Sequence, residues 1–212
     1  MAWIDFKKAF DSVPHDCIMK CLELYGVDVR VQRLLFHSMQ LWCTILTVNG
    51  EIYGEVSIQC GIFQGDSLSP LLFIMALMPI SLLLHNSGKG YLVQRGQPRV
   101  SHLVYMDDIK LFASSRQQLD SLLTTLSLFS EAICMKFGYS KCNILTLFRG
   151  CITPADDFKL PSISDGIISS LQPTVAYCYL GVLESAVLHH CNMKKNCLMS
   201  IDIEFESCCV LT

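Results

Sequence analysis

The sequence has little charge and no excess of basic residues. Only 17% of its 212 residues are charged, and the formal net charge is −3. Low charge combined with 51% hydrophobic residues excludes an intrinsically disordered chain. A protein that binds nucleic acid through the phosphate backbone is usually basic, so the charge balance alone does not indicate that class.

The sequence also lacks cysteine motifs and a leader segment. Its twelve cysteines form no CxxC pair, and their spacing matches neither a zinc site nor a disulfide framework. No charged-then-apolar leader follows Met1, which predicts an intracellular protein, in the cytoplasm, the nucleus or both. One alternative is a metal site formed by His189, His190, Cys191 and Cys197.

The longest apolar run covers residues 68–84, and it is shorter than a membrane span. A spanning helix needs about 20 apolar residues with basic flanks. This run contains Pro70 and Pro79, follows Asp66, and has Lys89 as its nearest basic neighbour. We therefore predict a buried core helix and no membrane partner.

Hydrophobic periodicity and turn residues predict alternating strands and helices. Asn49-Gly50 between two apolar segments predicts a β-hairpin. A helix is expected with Asp11 or Ser12 as its cap and Pro14 in its first turn. The pattern further predicts strands at 2–6, 44–48, 55–59, 91–94, 102–105 and 109–113, and helices at 29–41, 68–84 and 117–134.

Carboxylates interrupt two of the apolar strands. Asp5 follows Trp3-Ile4, and Asp107-Asp108 separate two apolar segments that are predicted to pair as a hairpin. An unpaired carboxylate beside an apolar core is costly, so these groups must be solvated, paired or bound to cations. An ordinary surface turn is one explanation. A magnesium site is the other, because Mg²⁺ prefers hard oxygen ligands.

Five segments, in order, resemble the palm motifs of reverse transcriptases, above all those of non-long-terminal-repeat (LINE-like) retrotransposons. They are 3–15 (WIDFKKAFDSVPH), 64–70 (QGDSLSP), 105–108 (YMDD), 138–142 (GYSKC) and 179–181 (YLG). The resemblance implies an α+β fold: an antiparallel sheet flanked by helices, with a ferredoxin-like or RRM-like core. It implies a palm over residues 1–183, with a partial fingers insertion near 29–60 and no proper thumb. Residues 184–212 form an acidic, cysteine-rich tail, expected to be either non-native or disordered.

The resemblance also implies the chemistry of the site. Two Mg²⁺ ions, for which Mn²⁺ could substitute, would be held by Asp5 and Asp107, with the backbone carbonyl of Phe6 as a further ligand and Asp108 in support. A primer 3′-hydroxyl would attack the α-phosphate of a nucleotide. Lys141 would protonate the leaving pyrophosphate; the alternative is an ordinary surface lysine.

Further residues receive substrate roles from the same resemblance. Phe10, Gln64 and Gly65 would contact the incoming nucleotide. The ring of Phe10 would exclude a 2′-hydroxyl, and it could equally anchor a helix on the core. Primer and template would contact Tyr105, Met106, Tyr179, Leu180 and Gly181, although Met106 could be a simple core residue.

The implied function is therefore RNA-templated DNA synthesis, by a domain that is incomplete as an isolated chain. Its partners would be an RNA template, a DNA primer and deoxynucleoside triphosphates, with no stable protein partner inferred. The alternative is a catalytically silent remnant of a decayed retrotransposon that acts at most as a binding module. A two-metal nuclease or cyclase fits the carboxylates, but not Gln64-Gly65, Phe10 or Lys141.

Overall fold

The computed structural model describes residues 1–149, 151–153, 155–160, 166–172, 175 and 177–184. The group around His189 and the tail beyond Glu184 lie outside these residues. The helices are α1 (Ala9–Ser12), α2 (His15–Leu24), α3 (Val29–Gln40), α4 (Ser69–Asn86) and α5 (Arg116–Ala132). The strands are β1 (Ala2–Ile4), β2 (Cys43–Val48), β3 (Glu51–Ser57), β4 (His102–Tyr105), β5 (Asp108–Leu111), β6 (Asn143–Ile144), β7 (Thr146–Phe148), β8 (Cys151–Thr153), β9 (Phe158–Lys159), β10 (Ile167–Ser170), β11 (Tyr177–Tyr179) and β12 (Val182–Glu184).

A six-stranded sheet forms the centre of the fold, in the order β4-β5-β1-β6-β10-β9. Its pairs are antiparallel except for β6 with β10. The alternating apolar residues of β1 and β5 send Ala2, Ile4, Ile109 and Leu111 into the main core. The helices cover this face of the sheet. The predicted α+β class, an antiparallel-rich sheet with flanking helices, is confirmed.

The opposite face carries a second, smaller core. Its buried members are Trp3, Leu145, Leu171 and Tyr179. Trp3 points away from Ala2 and Ile4 because successive side chains of a strand alternate between faces. The β11–β12 hairpin supplies Tyr179 to this core, so the hairpin lies on the face opposite the helices.

The apolar run forms α4, one side of which packs in the main core through residues such as Leu72, Phe73 and Ile80. Within the described part of the chain, it is the one helix long and apolar enough to span a membrane. A core helix of a soluble protein can have the same length and composition, so these two features alone do not indicate a membrane span. Its packing agrees with the predicted core helix.

Three local predictions need correction. Asp11 lies inside α1 and Ser12 donates a hydrogen bond back to the Lys8 carbonyl, while α2 begins after Pro14 without a side-chain cap. The second strand of the predicted hairpin starts at Glu51 rather than residue 55, because it follows directly on the Asn49-Gly50 turn. The predicted strand at 91–94 is absent, and a single bridge to Val100 replaces it.

Candidate active site

The β4–β5 hairpin places two carboxylates at its turn. Tyr105 pairs with Asp108, which leaves Met106 and Asp107 as the turn residues. Met106 has a φ of 53°, a left-handed conformation that is uncommon outside glycine. Backbone strain of this kind is concentrated at functional sites, where the surrounding structure holds it in place.

The pairing of β1 with β5 brings Asp5 to the same place. Trp3 pairs with Lys110 and Ile4 with Ile109, so one further step of this register sets Asp5 beside Asp108. The pKa of Asp108 is raised, first by burial and then by the negative charges of Asp107 and Asp5. Three carboxylates from two segments about 100 residues apart therefore interact.

Lys141 completes the charged group. Its Nζ lies 3.1 Å from Oδ2 of Asp5, whose side chain is only 14% exposed. This hydrogen bond and the charge of Asp5 raise the pKa of Lys141. The ammonium group therefore keeps its proton at neutral pH, as a proton donor must before it acts.

The segment that carries Lys141 is fixed to the end of β1 by backbone contacts. Gly138 donates its N–H to the Asp5 carbonyl at 2.8 Å, and Lys7 donates to Lys136 at 2.8 Å. The buried Cys142 thiol lies 3.6 Å from the same Asp5 carbonyl, and burial raises its pKa to about 11. A Cβ added at Gly138 would lie 3.0 Å from Oδ1 of Asp5, so this position favours glycine.

These residues are suited to bind a divalent cation whose remaining ligands come from the substrate. In the described ranges, no three His, Cys, Asp or Glu side chains form a ready-made metal cluster. Mg²⁺ is usually bound by only one or two carboxylates, and substrate phosphates and water supply the remaining oxygens. Burial and, after it, the negative charges of Asp107 and Asp5 raise the pKa of Asp108, and a bound cation would offset that negative charge.

The predicted nucleotide contacts lie on α1 and on the loop before α4. The half-buried ring of Phe10 stacks on Phe73 at 4.5 Å, and its carbonyl accepts the Ile62 N–H at 2.9 Å. This packing agrees with the helix-anchor explanation and leaves part of the ring accessible. Gln64 and Gly65 are exposed on the loop before α4, and no atom lies within 4 Å of a Cβ built on Gly65.

The predicted primer contacts divide into two groups. Tyr105 is exposed and Met106 packs partly on the main core, and both line a cavity of about 240 Å³ against α4. Leu180 and Gly181 form the exposed turn of the β11–β12 hairpin, both with positive φ. Tyr179 is buried beneath that turn rather than exposed to solvent.

The structure reveals polar residues near the site that the sequence reasoning missed. A cavity of about 470 Å³ lies between the carboxylates and the β11–β12 hairpin. Beneath the same hairpin, Lys110 and Glu184 form a largely buried ion pair. The lysine between the apolar residues Ile109 and Leu111 of β5 was the sequence signal for this ion pair. The cavity is lined by Asp5, Asp108, Ser140, Lys141, Asn143, Leu171, Val175, Tyr177, Cys178 and Leu180.

Comparison with known families gives a match over most of the chain. Residues 1–198 match the family model described as reverse transcriptase (RNA-dependent DNA polymerase). A Pol polyprotein of the type-1 retrotransposable element R2 of Popillia japonica is 26% identical over 139 residues, which are 66% of this chain and 23% of the relative. That of the type-2 element R2DM of Drosophila melanogaster is 27% identical over 187 residues, 86% of this chain and 17% of the relative.

Solved structures support the same fold. Apo telomerase from Candida tropicalis superposes with a TM-score of 0.53 at 13% identity, over 66% of this chain and 29% of that one. Telomerase from Candida albicans gives the same TM-score at 12% identity, over 79% of this chain and 29% of that one. The chain thus spans less than a quarter of the two R2 relatives and under a third of these structures.

Proposed function

Because the chain belongs to the reverse transcriptase family of RNA-directed DNA polymerases, we propose that it carries the nucleotidyl-transfer site of such an enzyme. The reaction would extend a DNA primer on an RNA template with deoxynucleoside triphosphates. One observation carries the proposal: the register of β1 and β5 sets Asp5 beside Asp108, with Asp107 at the adjacent turn.

The carboxylates would hold two Mg²⁺ ions. Asp5 and Asp107 would be the main ligands, with the Phe6 carbonyl as a further ligand and Asp108 in support. Bound Mg²⁺ would neutralise charge on the triphosphate and favour ionisation of the primer 3′-hydroxyl. The carboxylates themselves would fix where the reacting phosphate lies, and positioning supplies much of the catalysis in such reactions.

Lys141 would act as the general acid. Its raised pKa keeps the ammonium group protonated, and its side chain is 70% exposed, so a substrate can approach it from solvent. Its proton would pass from Nζ to an oxygen of the leaving pyrophosphate. The contact with Asp5 would have to be exchanged for one with the phosphate, since one ammonium group cannot serve both fully.

Phe10 would select the sugar. Stacking on Phe73 restricts the ring, so it cannot easily move aside for a larger nucleotide. A fixed aromatic ring beneath the ribose position would collide with a 2′-hydroxyl. Deoxynucleotides would therefore be preferred.

The second candidate is a catalytically silent remnant that at most binds a partner. One observation favours it: the net charge of −3. A surface without excess positive charge gains little from counterion release when it meets a nucleic acid.

Primer extension on an RNA template in Mg²⁺ distinguishes the two. The polymerase proposal predicts extension by the wild-type chain and none by Asp107→Ala. The matched control is Glu51→Ala, which removes an exposed carboxylate from the separate β2–β3 hairpin and should leave the rate unchanged. No extension by the wild type, or equal extension by Asp107→Ala, would contradict the polymerase proposal. Weak binding of primer–template at low salt would then favour the remnant.

A further inference from the structure

We propose that Trp3, Lys110 and Glu184 form a clamp that positions the β11–β12 hairpin beside the carboxylates. The inference rests on the proposed polymerase function and deepens it. These three would be positioning residues, which act on the primer through the hairpin rather than by contact with it.

The clamp is a compact polar contact in an apolar setting. Nζ of Lys110 lies 2.5 Å from Oε2 of Glu184, and the indole N–H of Trp3 donates to the same oxygen at 2.9 Å. The side chains of Lys110 and Glu184 are only 11% and 19% exposed. Glu184 ends β12, whereas Trp3 and Lys110 belong to the central sheet, so the contact joins hairpin to sheet.

Aromatic rings enclose the ammonium group. Nζ of Lys110 lies 5.3 Å from the ring centres of both Trp3 and Tyr179. A cation interacts favourably with an aromatic face at this distance, and more strongly when water is excluded. Tyr179 belongs to β11, so both strands of the hairpin contact the same lysine.

The position of the clamp in the sheet relates it to the reaction. Trp3 and Lys110 are directly paired. Two residues away from this pair lie Asp5, just after the end of β1, and Asp108, the first residue of β5. Residues two apart in a strand project from the same face of the sheet. Asp5 and Asp108 therefore lie on the same face as the clamp, about 7 Å from it. A hairpin fixed on the clamp therefore has a fixed distance to the carboxylates.

The hairpin is also tied to the segment that carries Lys141. The hydroxyl of Tyr177 donates to the Lys141 carbonyl at 2.7 Å, and the Tyr177 ring stacks on Trp3 at 4.7 Å. The cavity between hairpin and carboxylates is bounded on one side by Leu180 of the hairpin turn. A shift of the hairpin would therefore change this cavity, where the end of a primer would lie.

A buried ion pair can fix a geometry without adding stability, because desolvation offsets its attraction. Removing one partner leaves a buried charge, whereas replacing both by apolar residues is often neutral for stability. This difference separates positioning from simple stabilisation. The variants are Lys110→Met, Glu184→Met and the double variant, with Lys20→Met as control, since Lys20 forms an exposed ion pair with Glu23.

We expect each single variant to lower Tm and to raise the KM for primer–template about tenfold, with the KM for the nucleotide unchanged. The double variant should regain the wild-type Tm and keep the raised primer KM. Lys20→Met should match the wild type. A double variant that regains both Tm and primer KM would overturn the proposal, as would single variants with an unchanged primer KM.

Hydrogen exchange of the two tryptophan indole N–H groups, followed by NMR, tests the clamp without any activity. Trp3 should exchange faster in Glu184→Met and in the double variant, while Trp42 serves as the internal reference. Unchanged exchange at Trp3 would refute the clamp. If the wild-type chain does not extend primers, the proposed function fails for this chain, and the exchange result alone decides whether the clamp exists.

Discussion

Replacing Gly138 by alanine tests whether the position of the Asp5 carboxylate controls the reaction. Gly138 has a φ of −84° and a ψ of 72°, an inverse γ-turn conformation that is common for residues other than glycine, so the substitution adds little besides a methyl group. That methyl carbon would lie 3.0 Å from Oδ1 of Asp5. The other oxygen of the carboxylate is held by Lys141 at 3.1 Å, which limits how it can turn away.

The expected size of the effect follows from this distance. Ordinary van der Waals contact begins near 3.4 Å, so the carboxylate must move by about 0.4 Å. A misplacement of about 1 Å can cost about a hundredfold in rate, so 0.4 Å corresponds to about five- to tenfold. Alanine also lowers the entropy of the unfolded chain, worth about 0.4–1 kcal/mol, which offsets the steric cost. We therefore expect a slower enzyme with nearly unchanged stability.

Single-nucleotide addition at saturating substrate, together with Tm, measures both quantities. Gly54→Ala is the matched control, because a Cβ there meets no atom within 4 Å and the backbone φ is not positive. Electron paramagnetic resonance of Mn²⁺ adds a readout that needs no turnover, and its affinity should fall in Gly138→Ala alone. Equal rates and equal Mn²⁺ affinities for the two variants would refute the reasoning.

Three further predictions concern a carboxylate of the site, the proposed sugar-selecting residue and a glycine that packs against α1. Asp108→Asn should be more stable than the wild type at pH 7. The pKa of Asp108 is raised in the folded protein, so the wild type loses stability as the pH rises above 3.8. Urea titrations at pH 3 and pH 7 should show the greater stability of Asp108→Asn only at pH 7. Phe10→Ala should lose about 2 kcal/mol, since a half-buried ring stacked on Phe73 is removed, and should incorporate ribonucleotides more readily; unchanged discrimination would refute the sugar-selection role. Gly61→Ala should lose at least about 1 kcal/mol, because φ is +86° and a Cβ would lie 2.8 Å from the Asp11 carbonyl oxygen; an unchanged urea midpoint would contradict this.

Local sequence was sufficient where a short segment determines its own conformation. Asn49-Gly50 predicted a hairpin turn, and both residues adopt the positive φ that this turn requires. The apolar run at residues 68–84 predicted α4, and the buried side of this helix confirms the expected packing in the core. The helix cap at Asp11 was predicted wrongly, because a separate short helix contains that residue before α2 starts.

The sequence by itself indicated the family and, through that resemblance, the α+β class, because short motifs carry the resemblance. It also predicted the turn that carries Asp107, because apolar segments flank that turn on both sides. Tertiary structure decided what those residues meet. The register that sets Asp5 beside Asp108, the contact of Gly138 with Asp5, and the Lys110–Glu184 pair all join segments far apart in the chain. No local pattern encodes such pairings, since they depend on how the sheet and its two cores pack as a whole.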